Sequence, residues 1–148
     1  MTLAGQAIVA IWHDILAEGR DQFYWWHIHE HMPERVGVPK FIRGRRYIAE
    51  EGAPEFFNFY EAQSIDVLGG ADYLARLNDP SEWTTKTVKF FTNVSRSLQQ
   101  VRYSTGPGMG GYICTYAFDT DPARISAEDF IDKITDQILR PLSQEMGV

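Results

Sequence analysis

Cysteine is nearly absent. Cys114 stands alone among 148 residues, which excludes an intrachain disulfide and fits a reducing compartment. No stretch approaches the ~18 consecutive apolar residues of a membrane-spanning helix. Basic residues are in the minority, 14 Lys and Arg against 20 Asp and Glu, for a net charge of −6. That balance argues against nucleic acid as a general partner, because phosphate binding draws on a basic surface. The apolar start, residues 1–15, has no Lys or Arg ahead of it and is interrupted by His13 and Asp14, so no secretory leader is expected. These shortages leave a soluble, cytoplasmic chain of about one domain as the expectation, with neither membrane nor nucleic acid as partner.

What is present is an aromatic, core-capable sequence, 44% hydrophobic and 14% aromatic. Its histidines are concentrated: His27, His29 and His31 fall within five residues, with His13 close upstream. Histidine is the side chain whose unperturbed pKa lies nearest neutral pH, so such grouping beside carboxylates suggests a site.

Hydrophobic runs and turn signals predict strands over 6–12, 41–49, 55–62 and 96–103. Helices are expected over 21–32, ended by Pro33, over 65–77, and from an Asp79-Pro80 cap through 83–91. The 50–54 turn should make the middle strands a hairpin. The order is β-α-β-β-α-β, an α+β ferredoxin-like split arrangement, over residues 1–103. Residues 104–111 form a Gly-rich linker. They match G-x-G-x-x-G by letter, but a strand rather than a helix is expected next, so no phosphate site is assigned. Residues 112–148 restart the pattern with a strand over 112–118 and a helix capped by Ser126. Gly111, Phe130 and Pro141 match Gly5, Phe23 and Pro33, which reads as a partial second β-α repeat.

Taking Ile28 as the centre of the buried helix face places Tyr24, Trp25, His31 and Met32 near it. His27 and His29 then flank it, while Phe23, Trp26 and Glu30 point away. Phe23 and Trp26 would then need a second cover, from a subunit or from the C-terminal segment. His31 is the candidate acid/base group, assisted by His27, Glu30 or His13. The alternative is a hydrogen-bonded structural histidine. His27 and His31 stand at i,i+4 without an arranged third ligand, so no metal is expected. Tyr24 and Trp12 are candidate aromatic contacts for a ligand. Arg43 and Arg45 share one strand face, where they could hold a substrate carboxylate or pair across strands with Glu55 and Glu61. Phe56, Phe57, Phe59 and Tyr60 read as core that could line an apolar pocket.

Trp26-His27-x-x-Glu30-His31-Met32-Pro33-Glu34-Arg35, then Val38-Pro39, Phe41 and Arg45-Arg46-Tyr47, resembles the EthD-like branch of the dimeric α+β barrel superfamily. The resemblance is close over about residues 23–47. Lys40 stands where that family usually has glycine. The resemblance implies paired ferredoxin-like units with a ligand cleft between each sheet and its helices. His31 and Pro33 hold the signature positions. It also implies a homodimer or higher even oligomer, and functions ranging from cyclases, isomerases and cofactor-free monooxygenases to haem-degrading enzymes. The expected function is therefore a small-molecule enzyme or ligand-binding protein for an apolar or aromatic compound, with no organic cofactor motif. A non-catalytic binding module and a metal- or haem-binding protein are the alternatives.

Overall fold

A computed structural model describes residues 3–106, 108 and 110–145. By contact density the chain divides into Ala4–Val101 and a second unit made mainly of Arg102–Val148.

The first unit is a sheet of β1 (Ala7–Ile15), β2 (Phe41–Ile48), β3 (Phe56–Ala62) and β4 (Phe91–Gln100). Its order is β2-β3-β1-β4, with every neighbouring pair antiparallel. Split connections that place β1 between β3 and β4 make this the ferredoxin-like α+β fold expected from the sequence. Side chains alternate across the sheet. Ala7, Val9, Ile11, His13 and Ile15 of β1 share a face with Phe56, Asn58, Tyr60 and Ala62 of β3, as the register requires. That face carries the helices. Its core consists of one cluster around Val9, Phe41, Tyr60 and Tyr73 and another around Phe23, Trp26 and Phe56.

The first helical run is α1 (Arg20–Trp26), a π turn (His27–His31) and α2 (Met32–Val36). Helix therefore continues past Pro33, where the sequence predicts an end. A proline lacks the N–H and crowds the carbonyl of an ordinary α-helical turn. The wider π turn directly before it is where a chain can absorb that misfit. The buried face also differs from expectation. Ile28 is 53% exposed and Trp25 62%, whereas Phe23, Trp26 and His27 are buried. Phe23 and Trp26 thus need no second cover: both rings pack edge-on against Phe91 beneath the sheet.

Three other boundaries move. Residues 65–77 do not form one helix, because the backbone is extended at Gly70 between a 3-10 turn (Ile65–Gly69) and α3 (Ala71–Asn78). The next helix, α4 (Glu82–Thr87), is capped by Ser81, whose Oγ accepts from the Thr84 N–H at 2.9 Å, rather than by Asp79-Pro80. β4 begins at Phe91, five residues earlier than expected. Lys40, where the resembled family has glycine, sits at φ 70° in the left-handed region that glycine occupies without strain.

In the second unit the expected strand over 112–118 is not formed. Tyr112, Tyr116 and Phe118 are 86%, 79% and 65% exposed. A lone strand leaves its backbone groups unpaired, and no described residue offers it a ladder. Ser126 does cap a helix, accepting from the Asp129 N–H at 3.0 Å. That helix is α5 (Ala127–Ile134), a second π turn (Thr135–Leu139) and α6 (Arg140–Glu145). The π turn again stands two residues before a proline, here Pro141. Pro107 and Met109 of the Gly-rich stretch lie outside the described residues. Among the described residues no helix is long and apolar enough to cross a membrane.

Candidate functional site

A cavity of ≈ 440 Å³ opens between the helix-bearing face of the sheet and the helices. Val9, Ile11 and Tyr60 form its sheet wall, Trp26, His31 and Arg35 the wall of the first helical run, and Tyr73, Thr84 and Val88 the opposite side. Its size and apolar lining with a few polar groups suit a small ligand.

His31 stacks on Trp26 at 4.3 Å between ring centroids and meets Tyr60 edge-on. Its Nδ1 is buried without a hydrogen-bond partner. Burial first, then the Arg35 cation, holds its pKa well below the ordinary histidine value, so the ring is neutral at physiological pH. A neutral imidazole keeps one accepting nitrogen, which makes His31 a proton acceptor or hydrogen-bond partner for whatever enters.

The other candidate acid/base residues have partners of their own. His27 is buried, shares a 3.2 Å hydrogen bond with the Tyr60 hydroxyl through Nε2, and is lowered to about 3, chiefly by burial. His13 is fully enclosed, stacked on Phe56 and tilted against Phe91. Its Nε2 lies 2.7 Å from the Asn58 side-chain amide, and burial lowers its pKa to about 4. Glu30 accepts from Thr84 Oγ1 at 3.0 Å and Trp26 Nε1 at 3.2 Å, tying the π turn to α4. None of these three lines the cavity; His31 does. His29 stays outside, stacked on Trp25, with Nδ1 2.9 Å from the Trp25 carbonyl oxygen.

The expected anion clamp does not form at this cavity. Arg43 and Arg45 sit opposite Glu61 and Phe59 on the sheet face away from the helices, so they cannot join His31. Arg43 makes an ion pair with buried Glu61, whose other oxygen accepts from Ala4 N–H and Gly5 N–H. Trp12 is on that same far face, stacked on Phe57. Tyr24 is on the helix side but outside the cavity wall, under the Arg46 guanidinium.

Sequence reasoning passed over Arg35, Arg46, Tyr73 and Arg96. Arg35, 7% exposed, lines the cavity one helical turn beyond His31, with Nη1 buried and unpartnered. The i,i+4 spacing was the available signal. Arg96 donates to the Tyr73 hydroxyl at 2.6 Å, a contact between distant segments that no local pattern marks. Arg46 faces the helices and lies over the rings of Phe23 and Tyr24. Among the described residues no three His, Cys, Asp or Glu side chains are grouped to hold a metal ion.

No family model matches the chain, nor does any curated protein. Solved structures do resemble it. The haem-degrader MhuD from Mycobacterium tuberculosis shares 12% identity at a TM-score of 0.49, over 68% of this chain and 99% of its own. A putative antibiotic biosynthesis monooxygenase from Nitrosomonas europaea shares 12% at 0.45, over 66% and 99%. SnoaB, a cofactor-independent oxygenase from Streptomyces nogalater, shares 12% at 0.44, over 68% and 97%. Likeness at this level does not carry chemistry from one chain to another. The fold of this one rests on its own strand order.

Proposed function

We propose that the cavity binds a small, largely apolar or aromatic molecule, and that His31 receives a hydrogen bond or a proton from it. The single observation behind this reading is the unpartnered, buried Nδ1 of a neutral histidine that lines a mostly apolar cavity. A buried polar atom without a partner is costly, and a ligand hydroxyl would satisfy it. His31 then acts as a base in cofactor-free chemistry of the cyclase, isomerase or monooxygenase type. His27 and His13 keep structural places within the aromatic core. The Trp26-to-Arg35 signature supports placing the chain beside EthD-like proteins.

Calorimetric titration with 2-naphthol and with naphthalene tests this. The chain should bind both, and 2-naphthol more tightly. His31→Leu should remove the difference, while Ile11→Trp, which fills the cavity from its floor, should abolish both. No binding of either compound, or binding unaffected by Ile11→Trp, would remove the reading.

We also propose pairing of two copies through the far sheet face. The support is the continuous set of stacked rings there, Trp12 on Phe57 and Tyr47 on both Phe57 and Phe59. Light scattering that gave a monomer at micromolar concentration would end that idea.

A further inference from the structure

Arg35 is a buried cation with no ion-pair partner among the described residues. It belongs to α2, its Nη1 is enclosed and unpartnered, and its guanidinium carbon lies 5.8 Å from the centroid of the Tyr73 ring. Two other charges in this unit are matched, Glu61 by Arg43 and Glu55 by Arg20. Half-buried Arg46 shares an unpartnered Nη1, but it lies over the Phe23 and Tyr24 rings and does not line the cavity. The chain has acids to spare, 20 against 14 bases, yet no aspartate or glutamate lines the cavity that Arg35 faces. Arg96, the second arginine lining the cavity, donates to the Tyr73 hydroxyl. Tyr73 therefore has one guanidinium at its hydroxyl and the other near its ring face.

A guanidinium withdrawn from water needs an anion or several acceptors to offset its desolvation. A π face replaces only part of that. No described carboxylate supplies the rest, and Arg35 is one of the residues that line the cavity.

We propose that Arg35 is an anion subsite, and that the ligand of this cavity is an apolar or aromatic acid whose carboxylate is held by the Arg35 guanidinium. This rests on the small-molecule reading above and adds the charge of the ligand. A planar fork with parallel N–H groups matches a carboxylate in two hydrogen bonds, and in an enclosed apolar site such a contact is strong. His31, four residues earlier in the same helical run, would then meet the ligand at a second polar atom. The acid is thereby oriented with its charge at Arg35 and its reactive hydroxyl, enol or N–H toward the imidazole.

The experiment compares 2-naphthoate with 2-naphthamide, which share the ring system and differ in charge, on the full chain at neutral pH. The wild type should bind 2-naphthoate more tightly by about tenfold or more, the worth of one good charge-assisted contact. Arg35→Met, which keeps the apolar stem, should bring the ratio close to one while 2-naphthamide binding persists. Should Arg35→Met not fold, Arg35→Lys serves instead: a point charge lacks the fork, so the ratio should drop several-fold, and an unchanged ratio would refute the assignment. Equal wild-type affinities would overturn the anion subsite and leave the small-molecule reading standing. A preference that survives Arg35→Met would also overturn it, placing the anion at Arg96 or elsewhere. Failure of both naphthalene derivatives would overturn the subsite alone if 2-naphthol still binds, and both readings if it does not.

Discussion

The enclosed histidines make the fold acid-sensitive in a window where carboxylates are still ionised. His13 and His27, fully or almost fully buried, are lowered from 6.5 to about 4 and about 3, in each case first by burial. Because the folded values lie below the unfolded one, the unfolded chain takes up these protons first as pH falls. Stability is therefore complete above about pH 7 and is lost as pH drops through 6.5 toward the folded values. At pH 5 the unfolded rings are nearly all charged and the folded ones nearly all neutral, which costs about 2 kcal/mol for each, or about 4 kcal/mol together. His31 is shifted in the same direction and adds to this. Against a typical stability of about 5–15 kcal/mol, the loss is large. Urea unfolding at pH 7.5, 6.5, 5.5 and 5.0 should show unfolding free energy falling toward a slope of about 1.4 kcal/mol per pH unit for each proton taken up, two or more protons in all. His27→Phe should remove one proton from that slope. An unfolding free energy that changed by less than about 1 kcal/mol over the range would mean that these rings are hydrated or paired with a charge, and the buried-neutral account would fail.

Three smaller predictions rest on single positions. Gly44→Ala should destabilise by about 1–3 kcal/mol, because the new Cβ would lie 2.2 Å from Met32 Sδ and 2.8 Å from the Tyr60 ring; an unchanged melting temperature would show that both side chains can retreat. Lys40→Gly should stabilise by about 1 kcal/mol in urea unfolding, since it relieves the left-handed backbone at φ 70°. Ser81→Ala should lower stability by about 1 kcal/mol through loss of the cap on α4, read as a lower urea midpoint at constant slope.

The strand and helix order was legible because each element has its own hydrophobic run and turn signals separate them. The orientation of the first helix was not. Phe23 through Ile28 offers large apolar or aromatic side chains on every side, so periodicity could not choose a face, and the aliphatic Ile28 was the wrong centre. The start of β4 was hidden for a related reason: Phe91 fits the spacing of the preceding helix as well as that of a strand. At 112–118 the composition is that of a strand, but composition cannot supply the partner a strand needs. In β2 alternation correctly separated Arg43, Arg45 and Tyr47 from Arg46, yet only packing decides which face meets the helices. The pair of arginines expected at the ligand therefore lies on the face away from the cavity.

What distinguishes the four histidines is what each nitrogen meets, not how closely they cluster in sequence. His13 and His27 are enclosed, but Asn58 and Tyr60 give them partners, and the surrounding rings make them part of the aromatic core. His29 is bonded to its own helix at the surface. His31 alone combines a place on the cavity wall with a buried nitrogen that nothing in the described structure satisfies. Arg35, one turn further, repeats that combination with a charge. Two residues with an unpartnered buried nitrogen, His31 and Arg35, are thus carried by one helical run across the π turn and line the same cavity. A core selected only for stability would have closed such a space with aliphatic side chains or supplied partners from within, as it did for Glu61. In the proposed reading one ligand completes both, presenting an acid group to Arg35 and a second polar atom to His31, one helical turn away.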